Sequence, residues 1–123
     1  GWISSPFGQR TDPFTGKLAM HQGVDFAGTE GHEVVSLGAG VVTYSGYMQG
    51  YGEMVEISHS DGFKTRYAHA QENLVKVGEV VPRGKPIALV GSTGRSTGAH
   101  VHLEVYKNGR AIDPSKYIKR TQP

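Results

Sequence analysis

Between residues 40 and 69 the chain carries three runs, GVVTYSGY, EMVEISH and FKTRYAH, separated only by MQGYG and SDG. Short stretches rich in β-branched and aromatic residues, punctuated by glycine turns, predict consecutive antiparallel strands in a meander. Period-two alternation then assigns faces. Val55, Ile57 and His59 share one side of EMVEISH, with Met54, Glu56 and Ser58 on the other; in FKTRYAH, Phe63, Thr65, Tyr67 and His69 share a face. The signature continues downstream. VKVGEVVPRGKPIALVG predicts a strand pair folded over itself, with Gly78 and Gly84 at its bends. AHVHLEVYK is the last long strand, and NGR is a hairpin turn of the Asn-Gly type. Upstream, GTEGHEV leads into a short strand near Val34 and Val35. Residues 1–20, with Pro6, Gly8, Pro13 and Gly16 and little periodicity, read as an extended segment followed by a loop. DPSKYI allows at most one helical turn. With 18 glycines and no blocks of strong helix formers, we expect an all-β fold: an antiparallel sheet or small sandwich-like barrel with a groove and nearly no helix.

A chain of 123 residues is long enough for one hydrophobic core and too short for two, so residues 1–123 form a single domain. Its formal net charge of +2 is spread along the chain rather than clustered, which argues against nucleic acid as a partner. Mild basicity suits an anionic polymer such as a cell wall, and an ordinary solvated surface equally. The absence of cysteine excludes disulfides and thiolate chemistry. No run approaches the ~18 apolar residues that cross a bilayer, so no membrane contact is expected from this domain. The abrupt start at Gly1-Trp2 reads as a fragment of a longer exported protein, with any signal, anchoring or regulatory segment upstream.

The histidines carry the chemistry. On a strand, His100, His102, Glu104 and Tyr106 project to one face, while Val101, Leu103 and Val105 project to the other and can fill the core. Two imidazoles therefore stand side by side, as metal ligands or as part of a solvated strand face. HQGVD adds His21 and Asp25. On a flat strand these two would lie roughly 13 Å apart, too far to share an ion, and Gly23 with β-branched Val24 argues against a helix. The chain must therefore bend near Gly23. Imidazole and carboxylate suit Zn²⁺, and a catalytic zinc uses three protein ligands plus water. Four candidates for three places leave one histidine over for acid/base work. His69 is a further groove histidine, whereas His32 and His59 border turns and read as surface or structural residues. Arg95, within GSTGRSTG, is placed either to clamp a substrate carboxylate or to stand exposed in its loop.

Taken together, SSPFGQR, HQGVDFAGTEGHEV, GYGEMVEISH, TRYAH and VGEVVPRGKPIALVGSTGRSTGAHVHLEV resemble the zinc metallopeptidases of the lysostaphin and LytM type, peptidase family M23. The resemblance covers nearly the whole chain. It implies that His21, Asp25 and His102 hold one zinc ion and that His69 and His100 are the two catalytic histidines that do not bind it. It further implies hydrolysis of peptide crosslinks in bacterial peptidoglycan, D-alanyl stem-peptide bonds ahead of glycine–glycine bridges, in the periplasm or outside the cell. Glu53 departs from the family pattern, where Asn commonly follows GYG. Degenerate relatives that have lost ligands act as amidase activators, and a non-catalytic peptidoglycan binder on the same fold is the second reading. A lipoyl-like carrier module, suggested by the VKVGEVVPRGKPIALVG spacing, lacks the lysine at a hairpin tip and leaves the histidines unexplained.

Overall fold

A computed structural model describes residues 3–5, 7–11, 18–92 and 99–114, with residues 3–5, 9–11 and 18–21 described by backbone alone. Twelve strands follow one another in these segments: β1 (Ile3–Ser5), β2 (Gly8–Thr11), β3 (Leu18–His21), β4 (Val24–Ala27), β5 (Glu33–Val35), β6 (Gly40–Met48), β7 (Gly52–Ser58), β8 (Phe63–Asn73), β9 (Val80–Val81), β10 (Pro86–Val90), β11 (His100–Lys107) and β12 (Arg110–Ile112). The fold is all-β and every strand pair is antiparallel. One sheet runs β1-β4-β11-β8-β7-β6-β9, with β12 added beside β11 and β10 bridging β5 and β8; β2 and β3 form a separate pair.

The meander expected from the sequence is β6-β7-β8, its strands adjacent in order. Its second turn places Asp61 at φ 60° and Gly62 at φ 79°, and the NGR turn joining β11 to β12 places Asn108 at φ 50° and Gly109 at φ 84°. Paired positive φ values match the right-handed twist of the flanking strands, which is why Asp-Gly and Asn-Gly occur there. Two expectations need correction. The first 20 residues are not merely extended and looped, because LAMH pairs with GQRT as the β2-β3 hairpin. Nor do the two strands of VKVGEVVPRGKPIALVG pair with each other: β9 joins β6, while β10 joins β5 and β8. The PRG turn, with Gly84 at φ 84°, is tied to Ser36 through two backbone hydrogen bonds, so the run is opened outward onto the strands on either side of that residue. Of DPSKYI, where a helical turn is allowed, Asp113 and Pro114 are described, Pro114 in 3₁₀ conformation, and residues 115–118 lie outside the described residues.

The core lies on one face of the central strands. Val24, Val42, Val55, Ile57, Tyr67, Ile87, Leu103 and Val105 form a single buried cluster, with Phe26, Leu37 and Phe63 packed against it. Leu103 and Val105 are 3% and 2% exposed, as the alternation in HVHLEV requires, whereas Val101 is only half-buried. Tyr67 enters the core because its hydroxyl is satisfied there, accepting from Leu37 N at 3.0 Å and lying 2.7 Å from Thr65 Oγ1. Core packing on this side leaves the opposite face of β4, β8 and β11 to polar side chains.

Candidate metal centre

β4 and β11 run side by side with His102 opposite Asp25 and His100 opposite Ala27. Residues 77 positions apart thereby become cross-strand neighbours, and Asp25 Oδ1 lies 2.7 Å from His102 Nδ1 and 3.9 Å from His100 Nε2. Gly23 permits this approach. A Cβ there would collide with the Leu103 carbonyl oxygen and come within 2.9 Å of Glu104 Cγ. The chain does bend at this point, since β3 belongs to the small sheet and β4 to the large one, with only Gln22 and Gly23 between. Gly23 acts by clearance, however, and not through a left-handed backbone. His21 ends β3 opposite Gly8, and its side chain lies outside the described set.

Strict alternation puts His69 on the face of Tyr67, and the structure corrects this. Tyr67 is in the core, yet the His69 ring sits 5.2 Å from that of His100, edge-on, and 6.0 Å from that of His102. The cause is a bulge. From Val55 to Glu53 on β7 is two steps, but their partners Tyr67 and Ala70 on β8 are three steps apart. His69 takes up the extra residue with φ 64°, and its N–H donates to the Tyr51 carbonyl at 2.8 Å. Tyr67 and Ala70 both remain in the core while His69 is released to the polar face. The signal was faint, because no glycine marks the bulge.

His102 is held from two sides. Nδ1 faces Asp25 at 2.7 Å and Nε2 faces Glu104 Oε2 at 2.8 Å. Burial opposes charge on this ring, but the two carboxylates outweigh it and raise the imidazole pKa to about 9. Ionised carboxylates can only accept, so each ring nitrogen requires a cation: a proton at Nε2 for Glu104, and a proton or a metal ion at Nδ1. One imidazole nitrogen and one carboxylate oxygen thus converge on a single position with the donor chemistry that zinc prefers, and the residues present fit the ion. Among the described residues no group of three His, Asp or Glu side chains is gathered as a metal site.

Glu104 was placed by alternation on the polar face, but its part was missed. Only 3% exposed, it accepts from Tyr106 Oη at 2.7 Å and from Tyr51 Oη at 3.1 Å to each oxygen. Burial opposes its charge, and the His102 and Tyr106 hydrogen bonds hold its pKa below the usual carboxylate value. Arg66 stands 3.8 Å away, pinned by Glu56 at 2.8 Å and lying over the Tyr106 and Tyr51 rings at 5.0 and 5.7 Å. Alternation on β11 links Glu104 to His102 and Tyr106, but no sequence spacing links them to Glu56 on β7, Arg66 on β8 or Tyr51 in the turn before β7.

The remaining histidines behave as expected. His32 is exposed, and the His59 ring is fixed between the Ala39 carbonyl at 2.7 Å and Thr65 Oγ1 at 2.8 Å. Glu53 is half-buried, paired with Ala70 beside the bulge, with its carboxylate 3.5 Å from Asn73 Nδ2. Arg95 lies outside the described residues.

Comparison with known proteins gives the same direction. The chain is 43% identical over 113 residues to the peptidoglycan DD-endopeptidase ShyC of Vibrio cholerae, an alignment covering 91% of this chain and 26% of that protein. It spans about a quarter of the length of the curated relatives that match it first. Among solved structures, a zinc-containing peptidase from Vibrio cholerae matches with TM-score 0.86 and 41% identity, over 99% of this chain and 37% of its own. The catalytic domain of lysostaphin from Staphylococcus simulans matches with TM-score 0.86 and 31% identity, over 96% and 92% of the two chains. The model of peptidase family M23 matches residues 19–114, a stretch that runs from β3 past β12 and takes in every histidine and carboxylate described above, and the chain belongs to that family.

Proposed function

We propose that this domain is a zinc endopeptidase that hydrolyses peptide crosslinks of bacterial peptidoglycan. The observation that carries the reading is the convergence of Asp25 Oδ1 and His102 Nδ1, with the rings of His69 and His100 beside them. His21, Asp25 and His102 would hold one zinc ion. The resemblance to the family assigns His100 to catalysis rather than coordination; its Nε2 stands 3.9 Å from the Asp25 carboxylate oxygen, beside the site. Zinc held there would supply Lewis acidity, polarising the scissile carbonyl and lowering the pKa of a water toward neutrality.

His69 and His100 then divide the proton work. One imidazole accepts the proton of the attacking water, the other donates to the tetrahedral oxyanion, and a proton passes to the departing amine. The similarity to the DD-endopeptidase ShyC supports D-alanyl crosslinks over glycine–glycine bridges as substrate. A peptidoglycan substrate places the domain in the periplasm or outside the cell, within a longer exported chain, and the quarter-length coverage of its relatives supports upstream regulatory or anchoring segments.

The test is metal content and muropeptide release from purified walls. We expect about one zinc per chain, loss of hydrolysis with EDTA, and loss of both zinc and hydrolysis in His102→Ala. His69→Ala and His100→Ala should keep zinc and lose turnover by ~10²-fold or more. Zinc retained at full stoichiometry in His102→Ala overturns the ligand assignment, and near-normal turnover in either other variant overturns that histidine's role. Wall binding without hydrolysis in the zinc-loaded protein would instead favour the non-catalytic binder.

A further inference from the structure

We propose that Glu104 is the positioning residue for His102: its buried carboxylate fixes the ring with Nε2–H inward, so that the Nδ1 lone pair is presented to the position shared with Asp25. The inference rests on the ligand assignment above and extends it to a buried carboxylate on the far side of the His102 ring from Asp25.

Glu104 and His102 are two apart on β11, so they share a face and stand side by side. A carboxylate that is 3% exposed persists only if its lone pairs are satisfied, and here every close partner is a donor. Nε2 of His102 at 2.8 Å, the Tyr106 hydroxyl at 2.7 Å and the Tyr51 hydroxyl at 3.1 Å surround it. Those two hydroxyls orient the carboxylate, and the carboxylate in turn admits one tautomer of His102 when Nδ1 is given to a metal. Ligating histidines are generally oriented in this way by a hydrogen bond at the other nitrogen. Tyr51 has a second part. Its carbonyl accepts the His69 N–H at 2.8 Å, so one residue fastens both the carboxylate behind the ligand and the bulge that presents the catalytic histidine.

A purely structural role for Glu104, as an anchor for Arg66, is the competing explanation, and Glu56 separates the two. Glu56 binds Arg66 at 2.8 Å and Thr43 at 2.7 Å, on the Arg66 side away from the His102 ring nitrogens that Asp25 and Glu104 hold. We therefore compare Glu104→Gln with Glu56→Gln, measuring zinc affinity by chelator competition, ¹⁵N imidazole shifts of His102 in the zinc-loaded protein, and thermal midpoints of the metal-free forms. Glu104→Gln should bind zinc ~10–100-fold more weakly and lose the single Nε2–H signature, while Glu56→Gln stays within about twofold of wild type whatever its midpoint. Wild-type zinc affinity in Glu104→Gln, or an equal loss in Glu56→Gln, overturns the proposal and leaves the ligand assignment standing. Full zinc stoichiometry in His102→Ala removes the ligand assignment and this proposal together.

Discussion

His69 is the residue at which backbone and chemistry meet. Asp61 and Asn108, the other non-glycine residues with positive φ among those described, sit in tight turns, whereas His69 adopts φ 64° inside an 11-residue strand. A side chain in that region costs about 1–2 kcal/mol relative to ordinary backbone, a strain retained only where surrounding contacts impose it. Substitution can separate the strain from the imidazole. His69→Ala removes the ring and keeps the strained Cβ, and His69→Gly removes both, so the glycine variant should be the more stable by about 1 kcal/mol in urea unfolding, with turnover lost in each. An alanine variant equal to or more stable than the glycine one would show that the left-handed backbone is not a burden on this strand. Period two alone put His69 with Tyr67, and only the extra residue opposite Glu53 and Val55 reverses that. Bulges without glycine leave no such mark in composition.

Among elements, β11 was the most legible and its partners the least. Alternation divided HVHLEV into a core face and a polar face, and both are found; the Asn-Gly turn and the meander follow equally from local chemistry. What lies beyond local chemistry is pairing across distance. Nothing in HQGVD indicates that Asp25 sits opposite His102, or that β9 and β10 would take different neighbours, because register between remote strands is set by packing of the whole sheet. LAMH was missed for a different reason: four residues without alternation carry little period-two signal. The β4-β11 contact can be tested through Gly23. Gly23→Ala drives a methyl into the Leu103 carbonyl oxygen and should cost about 3 kcal/mol, weakening zinc binding in parallel as the two strands separate. Wild-type stability with unaltered zinc affinity would mean that the strands are free to part at no expense.

Across the whole molecule, the hydrophobic cluster and the polar site occupy opposite faces of the same central strands, so stability and chemistry can be altered separately. Electrostatics of the polar face set the response to acid. Burial raises the Glu56 pKa, but hydrogen bonds from Arg66 and Thr43 together with the Arg66 charge bring it below its unfolded value of 4.5. A depressed carboxylate contributes stability that is fully present above that value and disappears as pH falls through the folded-state pKa. Unfolding midpoints in urea should therefore drop on acidification below pH 4.5, and Glu56→Gln, less stable at neutral pH, should show a shallower drop; parallel curves would remove Glu56 from the acid response. The strand order carries one more consequence, for assembly. β4 reaches the meander only through β11, which is inserted between β4 and β8. Of the described strands only β12 follows β11 in the chain, so β4 waits without that neighbour while the meander can already form. Asp25 and His102 come together only when that central strand closes the gap, so a metal held by the pair would report a sheet that has finished closing.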